Sequence, residues 1–403
     1  MKTALTTVAL GLASLAFFLA GISNPPTTYY DEALYVSSAK ALLGNAPDPT
    51  PEVPPLGKVL IACGIEVFGD NALGWRSASA LFGALTLAGT FLWASLLLQD
   101  YALALTAALL TLLNNFLFVM SRVAMMDIFL VAFLIWGLVG FTAALELDEL
   151  TKGERRGLLA FASAMFGLAC ASKWNGVDTL GIIILLTTLL WSGLWSATPK
   201  ITAYRTNLQQ IGMPALLLSL FVLPVIAYSL TYWPLCRSAH RPFGIGELVA
   251  RNVFIWRVHR ALPGNPAISS AWYSWPLQMA PQRALSYLVG NWFIMWGGLV
   301  ALAICARRFW SSLPETLLIL LYAANMLQWA LTPQNRLYYY YYFPAAILLG
   351  VAIPLAIQQL PVRIAGIRVI SVALLPAACV FLFCFAKMAH LAAPFDSALG
   401  YWP

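Results

Sequence analysis

Long apolar runs separated by short polar connections dominate the pattern of this chain. A helix needs roughly 20 apolar residues to cross the hydrocarbon core of a bilayer. Because backbone groups inside a bilayer must be paired within the chain, such runs are expected to be helical. Windows of that length predict eleven spans, at 5–22, 75–97, 102–120, 125–145, 158–171, 179–195, 211–230, 285–305, 315–332, 338–358 and 369–388. The pattern therefore predicts an all-α polytopic membrane protein.

The first apolar run, which follows Lys2, fits either a cleavable signal peptide or a retained membrane helix. We predict the helix, because so many further spans follow it. With the N-terminus inside, several inner connections carry paired basic residues, such as Arg155 with Arg156 and Arg307 with Arg308. This arrangement agrees with the positive-inside tendency.

Two long connections, 23–74 and 231–284, then fall on the outer, non-cytoplasmic face. In the first, the apolar spacing over 31–43 and the short apolar run 59–68 predict helices that lie on the membrane surface or re-enter it. The second loop is the expected acceptor side, and its roughly fifty residues are too few for a separate soluble domain. We therefore expect one transmembrane domain over 1–403.

Composition strengthens the membrane interpretation and excludes several classes. Hydrophobic residues make up 61% of the 403 residues and charged residues only 10%, far below the roughly 25% of soluble domains. A disordered chain and a disulfide-stapled secreted module are excluded. The middle parts of the predicted spans contain no Asp, Glu, Lys or Arg, which disfavours a proton relay or an ion-coupled transporter.

An acidic pair, Asp31 and Glu32, follows the first span directly. Two interpretations stand equal on the sequence alone. Asp31 is typical of a residue that caps a helix, where the dipole favours negative charge. Adjacent carboxylates at a membrane boundary also suit a catalytic base.

The segment PEVPPLGKVL, 51–60, combines a rigid turn with two charges. Pro54 and Pro55 enforce an extended backbone. One interpretation is a plain loop leading into an interfacial helix, with Lys58 extending to lipid headgroups. The other is that the turn holds Glu52 and Lys58 in place beneath the first surface helix.

Cations stand at the outer ends of four different spans: Arg76, Arg122, Lys173 and Arg336. One such residue is usually an anchor to lipid phosphates. Four on one face, with Asp127 close by in the sequence, indicate a shared anionic ligand. Arginine suits a phosphate, because its planar fork makes paired charge-assisted bonds.

Tyrosines 338–342 begin a span at the outer interface, where tyrosine is enriched as a belt. A helical run of five places one or two on any given face, so we expect only a few of them, Tyr338 first, to line a site. His240 and His259 lie in the second outer loop without a carboxylate-rich spacing. No protein-held zinc or other metal is therefore predicted, and no covalently bound cofactor.

These motifs resemble those of the dolichyl-phosphate-mannose protein mannosyltransferase family, which are polyprenyl-phosphate-sugar glycosyltransferases of the GT-C fold. The resemblance runs from about residue 29 to 178. It rests on the Asp-Glu pair, the PPLGK segment at 54–58, RxxSAxFG at 76–83, SRxxxxD at 121–127 and SKWNG at 172–176. The SKWNG turn favours this branch over the aminoarabinose transferases of lipid A.

The resemblance implies roles for individual residues. Asp31 would be the catalytic carboxylate with Glu32 as its neighbour. The cations at Arg76, Arg122, Lys173 and Arg336 would bind the donor phosphate. The side chains that shape the site would be Glu52, Pro54, Pro55, Lys58, Asp127, Trp174, Asn175 and Tyr338. One departure is Val53, where the family commonly has histidine before the two prolines.

The function implied is inverting transfer of a sugar, mannose first, from a polyprenyl-phosphate carrier to a hydroxyl acceptor, with a protein Ser or Thr preferred. The enzyme would reside in a bacterial plasma membrane with its site on the non-cytoplasmic face. Two alternatives stay open. The acceptor is a glycolipid or polysaccharide, or the protein is a non-enzymatic transporter of lipid phosphates.

Overall fold

The chain is built from helices throughout the part that the structure describes. The structure, a computed structural model, describes residues 1–28, 30–261, 269–277, 288–332, 337–360 and 369–389, and no β-strand occurs among them. The α-helices are α1 (Lys2–Leu19), α2 (Glu32–Leu43), α3 (Leu56–Phe68), α4 (Ala72–Leu98), α5 (Tyr101–Leu112), α6 (Asn115–Met120), α7 (Met126–Glu146), α8 (Lys152–Ser172), α9 (Gly176–Ser192), α10 (Pro199–Ile211), α11 (Met213–Leu217), α12 (Leu223–Leu230), α13 (Trp233–Ser238), α14 (Ile245–Ala261), α15 (Trp292–Cys305), α16 (Leu313–Leu331), α17 (Phe343–Gln359) and α18 (Val369–Ala389). A π-helical turn (Leu218–Val222) joins α11 to α12, and 3₁₀ turns occupy Trp272–Leu277, Ala306–Arg308 and Tyr339–Tyr342.

Five helical segments in the described residues are long and apolar enough to cross a bilayer: Lys2–Leu19, Ala72–Leu98, Met126–Glu146, Met213–Ser238 and Tyr339–Gln359. The prediction of an all-helical membrane protein is confirmed. The count of eleven spans is not confirmed and stays a prediction. The segments that contain α7 and α17 are mostly buried, so they form the centre of the bundle.

The central helix α7 separates two polar clusters by its whole length. Asp127 lies in its first turn and contacts Lys173, whereas Glu146 is its last residue. Glu146 accepts hydrogen bonds from Tyr204 at 2.5 Å and Gln99 at 3.1 Å. A 21-residue helix is about 30 Å long, close to the thickness of the hydrocarbon core. The residues predicted for opposite faces therefore lie at opposite ends of one helix.

The predicted span 102–120 is not continuous. Asn114 has an extended backbone and separates α5 from α6. Its side-chain oxygen accepts a hydrogen bond from the amide of Phe116 at 3.2 Å, and its Nδ2 donates to the carbonyl of Ala346 at 3.2 Å. The amide thus satisfies groups that a helix break leaves open.

A helix that the sequence did not predict, α10, occupies the connection expected at 196–210. Its start is marked by Thr198, whose hydroxyl accepts from the amide of Ile201, and by Pro199 at the first position. Hydropathy scanning misses such a helix, because only one stripe is apolar. Tyr204 and Leu208 lie on that stripe and are buried.

The connection 23–74 contains two short helices, α2 and α3, which pack on each other, and α3 also packs on α4. The backbones of α3 and α4 approach each other closely at the corner between them, since a Cβ at Gly64 would collide with the carbonyl of Gly74. Only residues without a side chain fit this approach. The corner brings the start of α4, and with it Arg76, beneath the first loop.

Candidate active site

The carboxylate of Asp31 lies at the junction of α2 with the preceding chain. Tyr30 has φ of 60°, a left-handed backbone that is uncommon for a residue with a side chain and is found at strained functional positions. Asp31 occupies the N-cap position of α2, yet its side chain makes no capping hydrogen bond. Its Oδ2 instead accepts a hydrogen bond of 2.9 Å from the hydroxyl of Tyr340. Asp31 is therefore the N-cap residue by position, but its side chain does not cap the helix.

A cavity of about 290 Å³ opens beside this carboxylate. Of the predicted site residues, it brings together Asp31, Pro54, Lys173, Trp174, Asn175 and Tyr338. Other lining residues come from several segments of the chain: Tyr35, Met126, Asp178, Ile255, Trp256, His259, Arg260, Gln328, Trp329, Thr332, Tyr340 and Tyr341. The wall is mostly aromatic and apolar with a few polar groups, as is typical of a ligand-binding pocket.

Burial raises the pKa of Asp31 from 3.8 to about 6. The hydrogen bond from Tyr340 and the positive charge of Lys173 oppose this rise, whereas the charge of Asp127 adds to it. A carboxylate with a pKa near the working pH is suited to accept a proton. Asp31 thus has the environment of a general base.

Lys173 supplies positive charge at the edge of the cavity. It follows α8 with an extended backbone, φ −159° and ψ 138°. Its Nζ lies 2.7 Å from Oδ1 of Asp127 and 3.9 Å from the centre of the Tyr341 ring. The ion pair with Asp127 holds the ammonium group in place. The side chain is still 18% exposed, so it remains accessible from the cavity.

The rest of the SKWNG turn is fixed by hydrogen bonds to other helices. Trp174 donates its Nε1–H to the hydroxyl of Tyr228 at 3.1 Å. Asn175 donates from Nδ2 to Oε1 of Gln328 at 3.0 Å. These bonds tie α8 and α9 to α12 and α16, so the turn forms a rigid wall of the cavity.

The structure corrects the assignment of Arg76 to a donor phosphate. Arg76 is fully buried and forms a bidentate ion pair with Glu32, with Nε–Oε1 and Nη2–Oε2 distances of 2.8 Å. Its remaining N–H groups donate to the carbonyls of Ile22, Pro25 and Thr27. All five donors are thus occupied within the protein, and none is left for a ligand.

Glu32 is a positioning residue in this arrangement. It is fully buried, and its Oε1 also accepts from the amide of Ala124 at 2.9 Å. The carboxylate therefore joins three segments: the start of α2, the start of α4 and the turn before α7. It does not line the cavity, so the pair predicted as catalytic divides into a cavity carboxylate, Asp31, and a buried neighbour.

Arg122 also lies outside the cavity lining. Its Nη1 donates to the carbonyls of Phe18 at 2.7 Å and Ala20 at 2.6 Å, at the C-terminal end of α1. A guanidinium group there satisfies carbonyls that the helix leaves unpaired. The structure thus gives Arg122 the role of fastening α1, and the phosphate assignment is not supported. Arg336 lies outside the described residues.

The proline-rich loop is fastened from within by Lys58. This lysine is 1% exposed, so the prediction that it extends to headgroups is wrong. Its Nζ lies 2.7 Å from Oδ2 of Asp48 and donates to the carbonyls of Thr50 and Val53. The pairing with Lys58 lowers the pKa of Asp48 despite the burial of that carboxyl group.

The fastened loop presents Pro54 to the cavity, while Pro55 is buried directly before α3. The backbone carbonyl of Glu52 lies 3.0 Å from Nε2 of His259, which docks α14 onto the loop. Burial lowers the pKa of His259, so the neutral ring is favoured at neutral pH. Glu52 thus contributes its backbone to the shape of the site.

Sequence reasoning missed Tyr340, His259 and Arg260 as parts of the site. Tyr340 is one of five consecutive tyrosines, and nothing in that run distinguishes it. His259 and Arg260 lie on α14, whose placement against the first outer loop depends on contacts between distant segments. The lack of a carboxylate-rich spacing around His240 and His259 argued against a metal site, but it gave no signal for a role of α14 in the cavity wall.

The fold and the site together define a class: a polytopic helical membrane protein with a buried carboxylate and a fixed lysine in one aromatic cavity. The family model described as dolichyl-phosphate-mannose-protein mannosyltransferase matches residues 8–238, more than half of the chain. The chain belongs to this family. The matched range contains Asp31, Lys173 and the proline-rich loop.

Curated relatives match over parts of their length. A polyprenol-phosphate-mannose–protein mannosyltransferase of Mycolicibacterium smegmatis is 31% identical over 204 residues, covering 43% of this chain and 39% of that protein. The Mycobacterium tuberculosis protein of the same name is 26% identical over 296 residues, covering 65% and 54%. An undecaprenyl phosphate-alpha-4-amino-4-deoxy-L-arabinose arabinosyl transferase of Pseudomonas aeruginosa is 29% identical over 200 residues, covering 47% and 35%. The chain spans about two fifths to one half of the two mannosyltransferases.

Solved structures show the same fold. The Saccharomyces cerevisiae protein O-mannosyltransferase Pmt1–Pmt2 complex bound to the sugar donor aligns with a TM-score of 0.77 at 12% identity, over 99% of this chain and 91% of that chain. ArnT from Cupriavidus metallidurans bound to undecaprenyl phosphate aligns with a TM-score of 0.62 at 15% identity, over 96% and 71%. The expectation of a GT-C fold is confirmed.

Proposed function

We propose that this protein transfers a sugar from a polyprenyl-phosphate carrier to a hydroxyl acceptor, with Asp31 as the general base. One observation carries the proposal. Oδ2 of Asp31 is held by Tyr340, whereas Oδ1 accepts no hydrogen bond from any residue that the structure describes. The carboxylate lines the cavity, so Oδ1 is available to an acceptor hydroxyl.

In the proposed reaction the acceptor O–H donates its proton to Asp31 while its oxygen attacks the anomeric carbon of the sugar. The bond between that carbon and the phosphate oxygen breaks, and both of its electrons leave with the polyprenyl phosphate. Phosphate leaves as an anion, so no separate general acid is required. Nearby cations stabilise the charge that develops on it. A single displacement of this kind inverts the anomeric centre.

We infer that Lys173 and Arg260 are the cations that face the phosphate. Both line the cavity, whereas Arg76 and Arg122 are occupied elsewhere. Lys173 keeps an exposed edge beside its partner Asp127. The guanidinium carbon of Arg260 lies 5.9 Å from the centre of the Trp256 ring, and no carboxylate among the described residues forms an ion pair with it. The side chain of Arg260 is therefore exposed, and its positive charge is not paired with any carboxylate that the structure describes.

The names of the relatives support mannose as the sugar and a protein hydroxyl as the acceptor. We propose the plasma membrane of a bacterium as the location, with the cavity on the non-cytoplasmic face, because the mannosyltransferase relatives are bacterial and inner connections carry the paired arginines. Transfer to a glycolipid or polysaccharide is the competing outcome. It would show as a labelled lipid or polymer in place of a labelled protein.

The test uses the purified full chain in lipid nanodiscs with polyprenyl-phosphate mannose and a protein fraction from a bacterial envelope. We expect Asp31→Asn to lose about 10²-fold or more of transfer while it binds the donor as the wild type does. Asp70→Asn is the matched control, since Asp70 lies in the same outer loop but is exposed and paired with Lys40. Retained transfer in Asp31→Asn contradicts the role of Asp31. Donor binding without any transferred sugar in the wild type would contradict the enzymatic function itself.

A further inference from the structure

Helix α14 carries an exposed apolar stripe, most of which lies outside the cavity. Ile245, Val249, Val253 and Trp256 are 82%, 56%, 41% and 50% exposed. Their spacing of four, four and three residues places them along one side of the helix. Another side of the helix faces the protein, since Ile255 there is only 1% exposed. Ile245, Val249 and Val253 thus form an apolar stripe that is not covered by any residue that the structure describes.

The chain length places α14 close to the membrane. The candidate span Met213–Ser238 ends seven positions before Ile245, the first residue of α14. Seven residues reach at most about 25 Å even when fully extended. The end of that span also has exposed apolar side chains, at Leu230 and Trp233. The stripe of α14 thus lies within reach of the end of a candidate membrane span.

The charge of the surrounding loop favours an anionic partner. The segment 231–284 contains six arginines and a single acidic residue, Glu247. Arg241 and Arg251 both contact Glu247, which neutralises one positive charge of the pair. Arg257 and Arg260 lie beside the apolar stripe and are exposed. An apolar stripe flanked by arginines is the pattern of a helix that lies in the interface between headgroups and acyl chains.

We propose that α14 lies in the membrane interface, with Ile245, Val249 and Val253 among the acyl chains and Arg257 among anionic lipid headgroups. The inference does not depend on the proposed reaction. Trp256 and Arg260 belong both to this surface and to the cavity wall.

The test measures the depth of single positions of α14 in nanodiscs. In the full chain with its six native cysteines replaced, Val249→Cys is labelled with a bimane fluorophore. We expect a large loss of its fluorescence when the nanodisc phosphatidylcholine carries bromine on its acyl chains. Ala250→Cys is the matched control, since Ala250 is also exposed but points about 100° away around the helix and should keep its fluorescence.

Lipid charge is varied in a second arm. Adding phosphatidylglycerol should deepen the quenching at position 249 in the protein with Arg257, and the gain should be lost in Arg257→Gln. Equal fluorescence at positions 249 and 250 in brominated and ordinary lipid overturns the proposal. Protection of position 249 only when an acceptor protein is added would also overturn it, because the stripe would then be a protein-binding surface.

Discussion

The hydroxyl of Tyr340 donates a hydrogen bond of 2.9 Å to Oδ2 of Asp31, which connects the start of α2 to the turn before α17. Tyr340 is itself fixed by its neighbours. Its ring stacks on that of Tyr338 at 5.4 Å and meets the edge of Tyr30 at 5.6 Å. A carboxylate held by such a rigid partner keeps one oxygen occupied and directs the other into the cavity.

Removing this hydrogen bond should change the pH dependence of transfer. The bond stabilises the ionised form of Asp31, so Tyr340→Phe should raise the pKa of Asp31 above its value of about 6. A base acts in its ionised form, and activity therefore rises with pH through this pKa. We expect the acid side of the kcat/KM profile to move by about one pH unit to higher pH in Tyr340→Phe.

Tyr341→Phe is the control for this measurement. Tyr341 also lines the cavity, and its ring stays over Lys173 after the substitution. Loss of its hydroxyl leaves the bond between Tyr340 and Asp31 in place, so its acid side should stay close to that of the wild type. A Tyr340→Phe profile that coincides with the Tyr341→Phe profile would show that Tyr340 does not tune Asp31.

Burial of Asp31 should cost stability at neutral pH. Its pKa is 3.8 when exposed and about 6 in the fold, so the folded state holds more protons between these values and its stability falls as pH rises through them. Above pH 7 the ionised carboxylate destabilises the fold by on the order of 3 kcal/mol. Asp31→Asn should therefore raise the melting temperature at pH 8 and leave it nearly unchanged at pH 4. An Asn variant that melts at or below the wild-type temperature at pH 8 contradicts this expectation.

The sequence located Asp31 and Lys173 because short motifs at helix ends bring charged residues to one membrane face. It could not separate residues that bind a ligand from residues that fasten the fold. Arg76 and Lys173 look alike in sequence, since each is a cation at the outer end of a predicted span. What distinguishes them is the set of acceptors around each one. For Arg76 these are the backbone carbonyls of a loop whose path is decided only by tertiary packing.

The wall formed by α14 was unpredictable for a related reason. Charged and polar residues interrupt its apolar residues, and only a few of its residues line the cavity. The contact between His259 and the carbonyl of Glu52 joins segments about 200 positions apart. No local periodicity reports such a contact, whereas the spans of α4 and α7 follow directly from long apolar runs.

The pair of Arg76 and Glu32 should govern stability more than ligand binding. Arg76→Ala leaves a buried carboxylate without its partner, which typically costs about 3–5 kcal/mol. We expect a strongly lowered melting temperature and a small folded fraction, in which donor affinity is unchanged. Lys40→Ala breaks an exposed ion pair with Asp70 and should cost less than about 1 kcal/mol.

A second variant separates folding from binding at this position. Arg76→Met combined with Glu32→Leu removes both buried charges and should recover part of the stability lost in Arg76→Ala. Titration of both proteins with polyprenyl phosphate then reports affinity in the folded fraction. A weakened donor affinity that persists in the stabilised double variant would restore Arg76 to the phosphate site.

Lys173 is expected to behave in the opposite way, since its ammonium group borders the cavity. Lys173→Gln should weaken the binding of polyprenyl phosphate about tenfold or more, the value of one charge-assisted hydrogen bond, and Lys173→Arg should recover part of it. Lys2→Gln is the matched control. Nζ of Lys2 lies 3.9 Å from the centre of the Tyr101 ring, the same distance as Nζ of Lys173 from the centre of the Tyr341 ring, but Lys2 does not line the cavity. Binding is measured by calorimetry in nanodiscs. Equal affinities for the Lys173→Gln and Lys2→Gln proteins would remove Lys173 from the phosphate site and leave Arg260 as its remaining cation within the described part of the chain.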